Sequence, residues 1–323
     1  MDVLISEDLD APAIERLAKK HVVVRDGTLW KNPAALKEKI RQARTIMVRN
    51  QTQLNAKLLA SARRLIGIGR VGVGLDNSDV EAATRWGIVV IAPLNANATS
   101  VAELTLGLMV SLARKIPLAD CSTKAGGWDR QGCMGTELDG KTLAVCGLGR
   151  VGRLVAVRGR AFGLRLRVFD PYVKADSPVL ADLEATLCKT LNEALTPADF
   201  VTVHSPLTPE TKHLFSSPAF AAMKRGAFFI NTSRGGVMDE KALLAALRSG
   251  QLAGAALDVR ESEPPARSAF EKMDNVILTP HFGAFTREAQ ARTFEAVCDD
   301  LGRLLRGEAV INCVNMANAR RRS

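Results

Sequence analysis

The chain has 323 residues, 47% hydrophobic and 24% charged, which is length for about two domains of ordinary size and excludes a disordered or fibrous protein. No run of 18 apolar residues occurs, and Asp2 stands where a secretory signal needs a basic residue, so a soluble, cytoplasmic protein without a membrane partner is expected. The formal charge of +10 admits nucleic acid, an anionic small ligand or a solvated basic surface. Arg320, Arg321 and Arg322 form a basic terminus, Arg158, Arg160, Arg165 and Arg167 a second cluster, and a single tyrosine offers little base stacking, so nucleic acid is not expected. The six cysteines (Cys121, Cys133, Cys146, Cys188, Cys298 and Cys313) are scattered, and read as small core residues in a reducing compartment rather than as metal ligands or a disulfide framework.

In chain order, short apolar runs at Val3–Ser6, Val22–Val24, Ile46–Arg49, Leu65–Gly69 and Ile88–Ile91 predict strands separated by helical patterns. Ser100–Arg114 places Val101, Leu104, Leu108 and Leu112 at three- and four-residue intervals, which predicts a long helix. Six further strands follow, at Leu143–Gly147, Leu166–Asp170, Phe200–His204, Ala227–Asn231, Gly254–Asp258 and Val276–Thr279. A helical pattern over Ala289–Leu305 and an extended tail at Val310-Ile311-Asn312 close the chain, with no internal repeat or low-complexity linker. Strand–helix alternation from end to end defines an α/β protein with two parallel sheets, and six strands complete a doubly wound dinucleotide fold.

The first strand of the second set runs into Gly147-Leu148-Gly149-Arg150-Val151-Gly152, a GxGxxG turn opening a helix, and the next strand ends at Asp170, 18 residues beyond Gly152. Gly147 suits a tight turn, Gly149 lets the backbone approach a pyrophosphate, and Gly152 lets the helix pack on the sheet. The helix N-terminus offers unpaired N–H groups to the phosphates. Asp170 would accept from ribose hydroxyls and repel a 2′-phosphate, so NAD is expected over NADP, with Arg150 and Arg153 close enough to soften that preference.

The segments Asn231-Thr232-Ser233-Arg234-Gly235-Gly236, Asp258-Val259-Arg260-Glu261-Ser262-Glu263-Pro264-Pro265, Thr279-Pro280-His281 and His204-Ser205-Pro206-Leu207-Thr208 resemble, in order and spacing, the motifs of the D-isomer-specific 2-hydroxyacid dehydrogenases. Val48-Arg49-Asn50-Gln51-Thr52 and Gly69-Arg70-Val71-Gly72-Val73-Gly74-Leu75-Asp76-Asn77 resemble the phosphoglycerate dehydrogenase side of that family. The resemblance implies a Rossmann NAD-binding domain over residues 99–285, inserted in a flavodoxin-like substrate domain of residues 1–98 and 286–323. It also implies ligand binding in a cleft at the carboxyl ends of the strands, and a homodimer contacting through Ser100–Arg114 and the Trp128 region. Length after Val310 leads to the expectation that no regulatory domain follows.

Oxidising a 2-hydroxy acid requires a base for the hydroxyl proton, a cation for the carboxylate or developing oxyanion, and a hydride acceptor. Of four histidines, His21 lies outside any motif and His213 reads as a surface or packing residue, while His204 ends a strand near the expected nicotinamide. His281 is the expected base, in agreement with the resemblance. Glu263 would fix its tautomer and raise its pKa, and Arg234, followed by two glycines, would direct a guanidinium at the substrate carboxylate. By resemblance, Asp258 holds the nicotinamide carboxamide, Arg150, Val151, His204, Pro206, Thr211 and Thr232 line the cofactor, and the backbone at Val73 and Gly74 receives the substrate carboxylate. Arg49 and Arg70 resemble positions near a distal anionic group, which leaves phosphoglycerate-, sulfolactate-, hydroxypyruvate- and glyoxylate-type substrates open. The chain departs from the family at Arg260, where an aromatic residue is common, which bears on the shape of the cleft wall and could bring a further cation near the active site, and at Asn95-Ala96-Asn97, where a glycine-containing turn is usual. An NAD-sensing regulatory protein of the same fold is the alternative expectation.

Overall fold

Val3-Leu4-Ile5 and Thr45-Ile46-Met47-Val48 are buried at every position, as strands covered on both faces must be. The computed structural model describes residues 1–315; the arginines 320–322 lie outside the described residues. Two compact units result, one from Met1–Asn97 with the chain from Ala284 onward, the other from Ala98–Gly283. In the first, β1 (Val3–Ile5), β2 (Val23–Arg25), β3 (Thr45–Val48), β4 (Gly67–Arg70) and β5 (Val89–Ile91) form a parallel sheet in the flavodoxin-like order β2-β1-β3-β4-β5.

The helix Arg287–Arg306 packs closely on β4 because β4 is glycine-rich there. A Cβ on Gly67 would lie 2.2 Å from the Leu304 side chain, and one on Gly69 2.7 Å from Val297. From the same helix, the buried Asp300 carboxylate accepts from the amides of Ile311 (2.8 Å) and Asn312 (2.7 Å) and from the Asn312 side chain (2.9 Å). The tail is thereby held against β5, where Ile91 and Cys313 pair antiparallel.

The second unit contains β6 (Thr142–Cys146), β7 (Arg165–Phe169), β8 (Thr186–Leu187), β9 (Phe200–Val203), β10 (Ala227–Asn231), β11 (Leu252–Leu257) and β12 (Val276–Leu278). They form one parallel sheet, ordered β12-β11-β10-β9-β6-β7-β8. The sequence predicts six of these strands. The seventh, β8, pairs only two residues at the sheet edge, too few for any periodicity to show. One face is packed by Phe215, Phe220 and Phe229 in mutual ring contact, with Phe220 and Phe229 edge to face at 5.2 Å. The other is covered by Leu106 and Met109 of the helix Ala98–Ala113 and by Val155 of the helix Arg150–Ala161. The strand order reverses at β6, between β9 and β7. This switch point, at the strands' carboxyl ends, is where an α/β sheet binds its ligand.

Asp300→Ala would leave two backbone donors and one side-chain amide of the tail without their acceptor. Stability of the first unit is expected to fall by about 1–3 kcal/mol, measured by urea unfolding.

Candidate active site

The turn after β6 separates the reasons for its three glycines. Gly147 adopts φ +98°, and a Cβ there would come within 2.9 Å of the His204 carbonyl; one on Gly152 would come within 1.9 Å of the Gly147 carbonyl oxygen. Both glycines are demanded by the protein's own packing. Gly149 is different, since it has an ordinary φ of −72° and a Cβ there would meet nothing within 4 Å. It stands as the N-cap of the 12-residue helix Arg150–Ala161, in front of first-turn N–H groups that have no intrahelical acceptor. An open cradle at that position fits a pyrophosphate.

Asp170 follows β7 and accepts from the Leu148 amide (2.7 Å) and the Tyr172 amide (2.9 Å), one on each carboxylate oxygen. The carboxylate therefore rests against the glycine turn, and each oxygen keeps acceptor capacity for ribose hydroxyls. His204 follows β9; both its ring nitrogens are buried, with no hydrogen-bond partner among the described residues. Burial pushes its pKa down to about 3, so the imidazole is neutral near physiological pH. Arg150 is exposed and Val151 half-buried at the start of the helix, and Pro206 is exposed in the loop after His204. The Thr211 hydroxyl is spent inside that loop, donating to the Pro206 carbonyl (2.6 Å) and accepting from the Thr208 amide (2.8 Å). Thr232 is buried, its hydroxyl 2.9 Å from that of Thr105.

At the ends of β11 and β12 the chain organises around a second carboxylate. Asp258 is 2% exposed and accepts from the Thr279 hydroxyl (2.7 Å), the Phe282 amide (3.0 Å) and the Gly283 amide (2.9 Å). About four acceptor positions exist on a carboxylate, so little of Asp258 is left for a ligand. The turn it holds contains His281, at φ +52°. His281 Nδ1 lies 2.6 Å from Glu263 Oε2. Burial pushes the Glu263 carboxyl up, but the hydrogen bond from His281, that from the Arg260 amide and the charges of His281 and Arg234 together hold it below its ordinary value. Glu263 is therefore a carboxylate, Nδ1 carries the imidazole proton, and Nε2 is the nitrogen available for chemistry.

Arg234 follows β10, on a turn shaped by the Asn231 side chain, which donates to the Arg234 carbonyl (3.0 Å) and accepts from the Ser233 amide (3.0 Å). Gly235 is needed there, because a Cβ would sit 1.8 Å from the carbonyl oxygen of Arg260. Arg260 stands beside the site, its amide on Glu263, but its guanidinium is buried and paired bidentately with Glu240, at 2.8 Å for both contacts. His213 is exposed, its Nε2 lying 3.4 Å from Glu261.

The remaining predicted residues belong to the first unit. Arg49 and Arg70 leave the carboxyl ends of the neighbouring strands β3 and β4. The Arg49 guanidinium lies 4.9 Å over the Phe285 ring, and Arg70 folds back to its neighbour's carbonyl at Val71 (3.2 Å). Val73 and Gly74 are half-buried in the loop after β4, and among the described residues their amides donate no hydrogen bond. Sequence reasoning missed Glu7, whose buried carboxylate accepts from the amides of Arg49 (2.8 Å), Asn50 (3.2 Å), Gln51 (3.2 Å) and Thr52 (3.0 Å) and so fixes the Arg49 loop. An acid two residues beyond a fully buried strand was the available signal.

A glycine turn with an acid resting against it and an Arg–Glu–His set within one doubly wound unit have the features of a dinucleotide-binding protein. A family model for the D-isomer specific 2-hydroxyacid dehydrogenase, NAD binding domain, matches residues 106–283. The chain belongs to the D-isomer-specific 2-hydroxyacid dehydrogenase family, on its phosphoglycerate dehydrogenase-like branch, and its cofactor is NAD. It is 44% identical to the D-3-phosphoglycerate dehydrogenase of Methanocaldococcus jannaschii over 98% of this chain and 60% of that protein. Against the Homo sapiens D-3-phosphoglycerate dehydrogenase the identity is 42%, over 97% of this chain and 58% of that protein. The chain thus spans about three-fifths of the length of these relatives. The D-lactate dehydrogenase of Aquifex aeolicus, solved with NAD and lactic acid, superposes with a TM-score of 0.87 at 28% identity, covering 98% of this chain and all of that one.

A histidine kept neutral by burial binds fewer protons than it does in the unfolded chain wherever the pH lies between its two pKa values. His204 therefore contributes stability that is present above about pH 6.5 and is lost as the pH falls toward about 3. Urea unfolding across this range should show stability declining with acid in the wild type, and a shallower decline in His204→Gln.

Proposed function

We propose that the protein is an NAD-dependent D-2-hydroxyacid dehydrogenase, moving a hydride between NAD(H) and a small 2-hydroxy or 2-keto acid. The observation that carries this reading is the 2.6 Å contact of Glu263 with His281, in the same unit as Arg234 and the glycine turn. NAD, when bound, supplies the hydride acceptor or donor. Gly149 and the helix N-terminus behind it would hold the pyrophosphate, Asp170 the ribose, and the neutral His204 together with Arg150, Val151, Pro206, Thr211, Thr232 and Asp258 would line the rest of the cofactor site.

In the oxidative direction His281 Nε2 takes the hydroxyl proton, and in the reductive direction the imidazolium returns it to the carbonyl oxygen. Glu263 keeps the proton on Nδ1 and stabilises the imidazolium as it forms, as a carboxylate partner does for other catalytic histidines. Arg234 supplies a fixed positive charge for the substrate carboxylate or the developing oxyanion. The amides of Val73 and Gly74 are proposed as a further carboxylate receptor. Arg49 and Arg70 are proposed to bind a second anionic group, a phosphate or sulfonate; their shared position at the ends of neighbouring strands supports this, as do the phosphoglycerate dehydrogenase relatives. A cytoplasmic homodimer fits the exposed Ile116, Trp128 and Met134, three large apolar side chains along one stretch of the second unit, and no helix among the described residues is long and apolar enough to cross a membrane.

An NADH-absorbance screen over pyruvate, glyoxylate, hydroxypyruvate, 3-phosphohydroxypyruvate and sulfopyruvate tests the reading. Turnover is expected, with preference for a doubly anionic acid. Arg49→Ala and Arg70→Ala should raise KM for that acid by about 10- to 100-fold, the equivalent of losing a charged hydrogen bond of ~1.5–3 kcal/mol, and leave pyruvate little affected. Absence of turnover with every acid, alongside intact NADH binding, would contradict the enzyme and favour a nucleotide-sensing protein.

A further inference from the structure

Glu263 can serve His281 only if the segment from Arg260 to Glu263 is held still, and the structure shows what holds it. Two carboxylates, of Glu240 and Glu271, flank the one guanidinium of Arg260. Its Nε and Nη2 each lie 2.8 Å from a different oxygen of Glu240, Nη1 lies 3.6 Å from Glu271, and Cζ sits 5.1 Å from the centroid of the Phe270 ring. Such a fork is something arginine supplies and lysine does not. Glu240 is a firm anchor, being the first residue of the helix Glu240–Arg248, whose N-cap Asp239 accepts from the amides of Lys241 and Ala242. The backbone repeats the link: the Glu261 amide donates to Glu240 (2.8 Å) and the Glu240 amide donates to Glu261 (2.8 Å).

What Arg260 does with its own main chain matters most. Its amide donates to Glu263 Oε1 (3.1 Å), leaving Oε2 for His281, and its carbonyl packs against Gly235, next to Arg234. The geometry points to Arg260 as a positioning residue of the proposed dehydrogenase: its buried ion pair with Glu240 fixes the Arg260 amide, which in turn orients the Glu263 carboxylate onto His281. This rests on the functional reading above and adds to it a residue that touches neither substrate nor cofactor. With the guanidinium removed, Glu240 and Glu271 lose the charge that lies between them, the 260–263 segment loosens, and Glu263 loses a donor. The groups facing Glu263 are His281, Arg234 and the Arg260 amide. Loss of that amide therefore moves the Glu263 titration to higher pH.

The test compares wild type, Arg260→Met, Arg260→Lys and the double variant Glu240→Gln/Arg260→Met, in which no buried charge is left unpaired and folding is protected. In the ligand-free full chain, the proton NMR resonance of His281 Nδ1–H is expected to be sharp and downfield in the wild type, and broadened or lost in Arg260→Met and the double variant. With NADH and hydroxypyruvate, kcat should fall about tenfold in both, with KM nearly unchanged and the acid limb of the pH profile shifted upward. Arg260→Lys, which keeps the charge without the fork, should recover part of the loss. Folded variants with an unaltered His281 resonance, acid limb and kcat would overturn the assignment. A wild type without turnover would instead count against the dehydrogenase reading, while the NMR comparison would still decide the role of Arg260.

Discussion

A buried carboxylate must find donors, and much of this site follows from how Asp258 finds its own. At 2% exposure it cannot rely on water, so it gathers a hydroxyl and two amides from Thr279, Phe282 and Gly283. The chain after β12 is bent around it, and His281 is carried on that bend. The chain after β11 leaves from the same residue and returns with Glu263. One buried charge thus fixes the starting points of both partners in the 2.6 Å pair, and the Arg260–Glu240 clamp fixes the segment between them. Glu7 is used in the same way in the first unit, where it ties down the Arg49 loop through four amides.

Structural and chemical demands on the glycine turn can be told apart residue by residue. Gly147 and Gly152 would be needed in this fold whatever it bound, since a side chain at either would strike the backbone. Gly149 has no such internal reason, and its open surroundings fit the pyrophosphate proposed for that place. The ring nitrogens of His204, on the adjacent strand end, are buried without a partner among the described residues, which fits the same proposal. Both lie at the point where the strand order reverses, which is where a parallel sheet leaves room for a ligand.

Local pattern made the strands and the fingerprint legible, because burial on both faces forces continuous apolar runs and a tight turn forces glycine. The edge strand β8, with two paired residues, carries no such pattern. Residue type also made Arg234, Glu263 and His281 candidates, but the direction of a side chain is a tertiary property. Arg260 shows the limit: the sequence displays an unusual cation beside the expected site, whereas the fold turns it onto Glu240, 20 residues earlier in the chain, so that its charge is spent on holding the loop. Glu7 was illegible for the same reason, as its partners lie 42 to 45 residues away. Other arginines pair at the surface, Arg16 with Glu295 and Arg160 with Glu184, and such pairs add nothing to the net charge of +10.

The central claim is that His281, held by Glu263, moves the proton that accompanies hydride transfer. Rapid mixing of a preformed NADH complex with a 2-keto acid measures that step in a single turnover. His281→Gln is predicted to slow it by about 10²- to 10⁴-fold while the Kd for NADH stays at the wild-type value. Hydride transfer at the wild-type rate in His281→Gln would contradict the account.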